Sequence, residues 1–277
     1  MSTRPGHLPD FTSPPLIEVA LGVQFTPLEN LQTLHGGIIW EAYKDKYPYT
    51  KELPPLPHVL ETFGRRQVHS SIPFKLSLQD RPDVPRYWFI SENNDQLIQI
   101  QKDRFLQNWR KESSKAEYPR YESIREDFFS NYKTFCRTLA DIGFAEPDIN
   151  QCEITYINEI EFSSEKSNIN DFLCKILRIW KSDVLNGEPE LENIKLSWSS
   201  ILKSKDSEIG RLHTKLNTKY LENDGEAIRL QLTARGMPSG YNIKDIEDFF
   251  DFGREEIVNY FTKITTDSMH EIWGRKK

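Results

Sequence analysis

The strongest constraint on the fold of this chain is a pattern of segments that occurs twice. The tetrapeptide EDFF lies at residues 126–129 and again at 247–250, each time in a long segment with apolar residues at helical spacing. Hydrophobic periodicity predicts a strand, a helix and then a series of strands before each of these segments. The sequence therefore predicts an α+β protein made of two pseudo-repeated β-α-β-β-β-α halves, with mostly antiparallel sheets covered by long helices.

The first half is predicted to span residues 14–145. Residues 1–13 are polar and rich in proline, and we expect them to form a flexible arm. Gly143 is the expected C-cap of the last helix in this half. The predicted elements are a strand at 16–25, a helix at 28–47, weak strands at 59–66 and 74–78, a hairpin of 86–92 with 96–105, and a helix at 121–142.

The second half is predicted to span residues 149–277 and to form one compact unit with the first. Its first helix is expected to begin at Asn168 or Asn170, and its last helix has a candidate break near Gly253. A groove between the two halves is the default ligand site. The predicted elements are a strand at 149–162, a helix at 169–180, strands at 194–203, 209–221 and 227–235, and a helix at 243–269.

Composition narrows the class of protein. A formal charge of −6 and a pI near 5.6 indicate no bulk attraction to nucleic acid or acidic membranes, so nucleic acid is not expected as the main partner. No apolar run approaches the roughly 18 to 20 residues that span a bilayer. Cys136, Cys152 and Cys174 each lie within an apolar pattern, which predicts reduced thiols in a cytoplasmic protein.

Known catalytic motifs are missing from the sequence. It has no glycine-rich phosphate loop, no G-x-S-x-G and no H-x-x-x-H or C-x-x-C spacing, so we predict no cofactor and no catalytic residue. His213 is expected to face away from the apolar side of its strand as an ordinary polar residue. His270 is expected to be a charge at a helix C-terminus.

Three acidic residues on one predicted strand allow an alternative. Glu153, Glu159 and Glu161 have odd spacing and would share one face, where carboxylates could bind a divalent cation. This would favour a metal-dependent enzyme acting on a nucleotide or nucleic acid. The preferred interpretation is a solvated sheet face on which Lys or Arg opposes these carboxylates.

The best candidate for a binding site is the stretch 95–111, DQLIQIQKDRFLQNWRK. After a predicted strand it combines cations, amides and aromatics, a mixture that suits a small anionic ligand or an acidic peptide. In the alternative interpretation, Phe105 and Trp109 are core anchors with solvated neighbours. Residues 104–111 have no counterpart in the second half, where the equivalent stretch reads RGMPSG. The predicted binding residues are Gln99, Gln101, Arg104, Asn108, Trp109 and Arg110.

Three stretches carry a resemblance to a known family: PPLIEV at 14–19, LIQIQKDRFLQNWRK at 97–111 with YPRYESIREDF at 118–128, and ITTDSMHEIWGR at 264–275. The chain resembles a sporadically distributed family of uncharacterised bacterial proteins of about this length. The resemblance implies a bacterial cytoplasmic protein and carries over no catalytic residues. A patchy distribution is typical of exchanged accessory genes, such as those of phage-defence and toxin–antitoxin systems.

The leading hypothesis is therefore a non-enzymatic protein that binds a ligand or partner, as an accessory or regulatory component of such a system. The expected partner is another protein of the same operon or a second copy of this chain. A structural subunit of a protein complex is a further alternative.

Overall fold

A computed structural model describes residues 8–63, 84–113, 117–162, 168–181, 191–221, 225–240 and 242–276. Within these ranges the strands are β1 (Asp10–Phe11), β2 (Leu16–Phe25), β3 (Tyr49–Leu53), β4 (Arg86–Ile90), β5 (Gln96–Gln101), β6 (Arg104–Arg110), β7 (Ile149–Phe162), β8 (Lys195–Ser204), β9 (Ser207–Tyr220), β10 (Glu226–Gly236) and β11 (Arg275–Lys276). The helices are α1 (Thr33–Glu41), α2 (Tyr121–Asp141), α3 (Ile169–Ile176), α4 (Ile243–Ile264) and α5 (Asp267–Ile272). The chain is thus an α+β protein, as predicted.

The main feature of the fold is a single antiparallel sheet of nine strands in the order β3-β4-β5-β6-β2-β7-β10-β9-β8. The central pair, β2 and β7, takes one strand from each predicted half. The predicted bounds of both strands are confirmed. The strands of the two halves therefore lie side by side in one continuous sheet.

The helices cover one face of this sheet. Strand residues Val19, Leu21 and Val23 alternate with residues that face the other side and are at most 1% exposed on the helical side. Helices α2 and α4 also pack on each other, since Phe128 and Phe250 form an edge-to-face pair with ring centroids 5.1 Å apart. The opposite face of the sheet carries the polar side chains of the same strands.

The predicted strand at 96–105 is wrong at its C-terminal end. Strand β5 ends at Gln101, Lys102 and Asp103 form a turn, and β6 then runs back beside β5 to Arg110. Strand β6 also pairs with β2, so it lies inside the sheet and has side chains buried on both faces. The second part of the candidate binding stretch, 104–111, is therefore mostly a strand inside the sheet.

The predicted break of the last helix near Gly253 is also wrong. Helix α4 continues past Gly253 to Ile264, and Thr265 and Thr266 separate it from α5. Gly253 instead permits close packing: a Cβ there would lie 2.6 Å from Ile154 Cγ2 and 3.1 Å from Ala234 Cβ. A side chain at this position would push α4 away from β7 and β10.

Other predicted boundaries differ from the observed ones. The first helix is shorter than 28–47, and the helix expected at 169–180 ends at Ile176, where Leu177 pairs with Thr265 in an isolated bridge. Residues 59–63 form no strand, and the strand expected at 74–78 lies outside the described residues. Within the expected arm, Phe11 is buried and pairs with Arg275.

His270 differs from its predicted role. It is 2% exposed and lies 2.8 Å from Thr265 Oγ1. Burial and the nearby Arg275 lower the pKa of His270, which favours a neutral ring. The residue therefore belongs to the packing of α5 and does not act as an exposed helix-terminal charge.

Candidate binding site on the polar face of the sheet

An extended segment crosses the face of the sheet opposite the helices. This segment, the strap, comprises residues 54–63 (PPLPHVLETF) and follows the edge strand β3. Its prolines have a fixed φ and no N–H group, so they favour an extended chain that cannot form a complete strand ladder. The strap makes contacts in turn with residues of β5, β6, β2, β7 and β9.

Three glutamine side chains bind the backbone of the strap. Gln101 Oε1 accepts a hydrogen bond from the N–H of Leu56 at 2.9 Å, and its Nε2 donates to the Leu56 carbonyl at 3.0 Å. Gln24 contacts both backbone groups of Val59 in the same way. Gln151 accepts from the N–H of Glu61 at 2.8 Å and donates to the Val59 carbonyl. Each side-chain amide thus offers the strap one hydrogen-bond donor and one acceptor, as the backbone of a neighbouring strand would.

These glutamines belong to a continuous row across four strands, here called the polar row: Gln101, Arg104, Gln24 and Gln151. Each member lies directly opposite the next on β5, β6, β2 and β7. The glutamines are 2–3% exposed, and Arg104 Nη2 donates to the Pro57 carbonyl at 3.1 Å. A buried amide costs free energy unless it is hydrogen-bonded. The backbone of the strap supplies these hydrogen-bond partners to the three glutamines.

The length of the strap fits the width that it crosses. Strands lie about 4.8 Å apart, so the five steps from β5 to β9 span about 24 Å. The seven residue-to-residue steps from Leu56 to Phe63 span about 24 Å at roughly 3.4 Å each in an extended chain. The strap is therefore extended along its course over the sheet.

The end of the strap places a carboxylate among three basic groups. Glu61 is hydrogen-bonded by Arg211 Nη1, its Oε1 lies 2.6 Å from His213 Nε2, and Arg235 Nη1 lies 3.8 Å away. The Glu61 side chain is 2% exposed. Burial acts to raise the pKa of this carboxyl, but the contacts with His213 and Arg211 outweigh burial and lower it.

Two of the sequence-predicted binding residues bind the protein's own strap. Gln101 contacts Leu56, and Arg104 contacts Pro57 and Gln24. The prediction placed both residues in a surface for an external ligand or partner. In the structure, their partner is a segment of the same chain.

Three further predicted residues lie on the same face, beside the polar row. Gln99 accepts hydrogen bonds from Arg86 at 3.1 Å and Trp88 at 3.0 Å, and it donates to Asn108 Oδ1 at 2.8 Å. Asn108 in turn donates to Glu18. Arg110 donates to Asn94 in the β4–β5 turn, and its guanidinium lies 5.9 Å from the centre of the Trp88 ring. Gln99 and Asn108 therefore connect strands β4, β5, β6 and β2.

Trp109 is not part of this surface. It lies between Asn108 and Arg110 on β6, and side chains alternate along a strand, so it points to the helical side. There it is 5% exposed and packs on Tyr118, with ring centroids 5.3 Å apart. The alternative interpretation of Trp109 as a core anchor is correct.

Two of the three acidic residues of β7 form ion pairs. Glu153 pairs with Arg235 and Glu159 with Arg229, both at 2.5 Å, whereas Glu161 is exposed. Among the described residues, no group of three or more His, Cys, Asp or Glu side chains is placed to hold a metal ion. The arrangement matches the interpretation in which basic side chains oppose the carboxylates.

Sequence reasoning missed Gln24, Gln151, Arg211 and Arg235. One local signal was present for Gln24, because it is an amide between two apolar residues in Val23-Gln24-Phe25. His213 was expected on the polar side of its strand, and it does lie there. Nothing in the local pattern linked it to Glu61.

Two concave regions lie on the helical side of the sheet. A cavity of about 70 Å³ lies beneath residues 9–16, with Tyr118, Tyr156 and Arg254 in its lining. This volume is well below the roughly 300–1,000 Å³ of typical ligand pockets. A wider groove beside α2 has Arg125 and Lys133 in its lining, but Arg125 is already paired with Asp251 at 2.6 Å.

Comparison with known proteins adds no family. No protein-family model matches the chain, and no curated protein matches it significantly.

In the described parts of the chain, none of the helices is both long and apolar enough to span a membrane, and all three cysteines are free. The class that fold and site define is an α+β protein with a strap across the polar face of an antiparallel sheet.

Proposed function

We propose that this is a non-enzymatic binding protein whose polar sheet face holds an extended segment of a partner polypeptide. The observation that carries the proposal is the pairing of Gln101, Gln24 and Gln151 with backbone groups of the strap. Backbone contacts do not depend on the side chains of the bound segment. The same row can therefore accept another extended segment.

The way the strap is held supports exchange with such a segment. Val59 and Leu60 are 37% and 41% exposed, so their aliphatic side chains are only partly buried. The contacts are mainly hydrogen bonds, each of which contributes about 0.5–1.5 kcal/mol net. An intramolecular segment held in this manner can open without unfolding of the core beneath it.

The proposal is tested with a full-length variant in which residues 54–63 are replaced by a Gly-Ser segment of the same length. A labelled peptide, PPLPHVLETF, is titrated into this variant and fluorescence anisotropy is measured. We expect saturable binding that is lost when Gln24, Gln101 and Gln151 are changed together to Ala. The matched control is Gln231→Ala, because Gln231 donates to Thr233 on the same sheet.

Two results would contradict the proposal. One is the absence of peptide binding to a strap-replaced chain that retains its cooperative unfolding transition. The other is binding of equal affinity with and without the three glutamines.

The strand order supports a second proposal, that the two halves arose by duplication. Outward from β2 the order is β6, β5, β4, and outward from β7 it is β10, β9, β8. Under this proposal β6 is the counterpart of β10, and residues 104–110 would then have an equivalent in the second half. The two EDFF segments also lie near the starts of α2 and α4.

The partner stays a prediction: another protein of the same operon or a second copy of this chain. A role as an accessory or regulatory component in phage defence or toxin–antitoxin activity would require such a partner. Light scattering of the purified chain, alone and with the products of neighbouring genes, tests this directly. A monomer that forms no complex with any of them would contradict the predicted role.

A further inference from the structure

We propose that Arg211, His213 and Arg235 form an anion site for an acidic side chain of the partner segment, and that Glu61 occupies this site when the partner is absent. This inference rests on the proposed function and names the class of its ligand. The ligand is an extended peptide that carries a carboxylate at the position equivalent to Glu61.

The first argument is the arrangement of charge on the sheet. Arg211 and Arg235 lie directly opposite each other on β9 and β10. Like charges in directly opposite positions destabilise a strand pair. Arg235 has a partner from within the sheet, Glu153, at 2.5 Å. A second anion beside Arg211 relieves the remaining repulsion, and Glu61 supplies it.

The second argument is the orientation of the strap. In an extended chain, side chains alternate between the two sides. Residue Glu61 is 6% exposed, whereas Leu60 beside it is 41% exposed. A segment that docked through hydrophobic burial would turn its aliphatic side chains inward. This segment instead buries its carboxylate, so the sheet surface beneath it selects an anion.

The third argument is that Arg211 and His213 make their side-chain contacts with the strap. In the described part of the chain, Arg211 donates hydrogen bonds to Glu61 and to the Thr62 carbonyl, and its guanidinium lies 4.9 Å from the centre of the Phe63 ring. His213 contacts the Glu61 carboxylate. These contacts all belong to the strap, so its release leaves Arg211 and His213 ready for another carboxylate.

A consequence is that the strap competes with the partner. A tethered segment acts at an effective concentration of about millimolar, so a free peptide must be tight-binding or abundant to replace it. Weakening the Glu61 contact should therefore raise the affinity for a free acidic peptide.

The test compares two labelled peptides on the strap-replaced chain. One is PPLPHVLETF, and the other carries the Glu61→Gln change. Hydrogen bonds to charged groups contribute more than neutral ones, so we expect the acidic peptide to bind about tenfold more tightly. The difference should disappear in the strap-replaced chain that also carries Arg211→Ala.

The outcomes separate this inference from the proposed function. If neither peptide binds, the proposed function fails and the inference fails with it. If both bind with equal affinity, the glutamine row binds backbone as proposed, and the anion site is overturned. If the acidic peptide binds more tightly and Arg211→Ala removes the difference, both proposals stand.

A second measurement covers the case in which the strap-replaced chain does not fold. In the full chain, Glu61→Gln is expected to speed hydrogen exchange at the Leu56 and Glu61-position amides, and to increase binding of the free acidic peptide about tenfold. The matched control is Glu161→Gln, an exposed acid on β7. Unchanged exchange and peptide affinity in Glu61→Gln would overturn the inference.

Discussion

Arg211 and Arg235 lie directly opposite each other on neighbouring strands, and the carboxylate of Glu61 approaches both. This arrangement joins a segment near the first edge of the sheet to strands at the other end. It makes Glu61 important for stability as well as for the proposed site.

Replacing Glu61 with Ala should lower the free energy of unfolding by about 1–3 kcal/mol, because buried hydrogen-bonding groups lose their partner. Urea denaturation of both chains measures the difference. Glu161→Gln, on the exposed part of β7, should change stability by less than about 0.5 kcal/mol. Equal effects of the two substitutions would rule out a structural role for the Glu61 contact.

The stability that Glu61 contributes should depend on pH. The pKa of Glu61 is lowered in the folded protein, so its contribution is complete above the usual value of 4.5 and is lost as the pH falls through the folded pKa. The titratable and basic groups that contact it are Arg211, His213 and Arg235, and Arg235 also pairs with Glu153. The free energy of unfolding, measured by urea denaturation at several pH values from 6 to 3, should fall more steeply for the natural chain than for Glu61→Gln. Parallel pH profiles would contradict this prediction.

Glu18 should affect the pH dependence of stability in the opposite direction to Glu61. Burial raises the pKa of Glu18, although Asn108, Arg110 and Arg229 oppose this shift. The folded chain therefore holds the proton more strongly than the unfolded chain, and stability falls as the pH rises from 4.5 through the folded pKa. Glu18→Gln keeps an acceptor for Asn108 and should raise the melting temperature at pH 7 but not at pH 4. A gain that is the same at both pH values would disagree with this explanation.

Gly253 should not tolerate a side chain. A Cβ at this position would lie 2.6 Å from Ile154 Cγ2, so Gly253→Ala should destabilise the protein by about 1–3 kcal/mol through overpacking. Gly37 in α1 is the matched control, because a Cβ there meets no atom within 4 Å. Gly37→Ala should be neutral or stabilising by up to about 1 kcal/mol. Thermal or chemical denaturation compares the two, and a stabilising Gly253→Ala would refute the packing argument.

Arg104 and Arg110 should have separable roles. Arg104 donates to the Pro57 carbonyl in the strap, whereas Arg110 donates to Asn94 in a turn. Arg104→Ala should therefore speed hydrogen exchange at the Leu56 amide several-fold, and Arg110→Ala should leave it unchanged. Mass spectrometry of exchanged peptides measures both. Equal protection of the strap in the two variants would show that Arg104 does not hold it.

The elements that sequence predicts best are those in which local pattern and environment agree. Strands 16–25 and 149–162 are long runs with β-branched and apolar residues, and the apolar spacing of 121–142 predicts α2 to within one residue. Strand β6 was missed because Arg104, Gln107 and Asn108 resemble a polar loop. They are accommodated inside the sheet because α2 and the polar side chains of neighbouring strands provide hydrogen-bond partners.

The sequence by itself determined the class of fold, the two strands β2 and β7 and which of their side chains share a face, because these follow from local periodicity. The tertiary structure alone decided that Glu61 meets Arg211, a residue 150 positions away. It also decided that Gln24, Gln101 and Gln151 lie beneath one extended segment. Such contacts depend on strand order and register across the whole sheet, and the spacing of residues within a single segment carries no information about either.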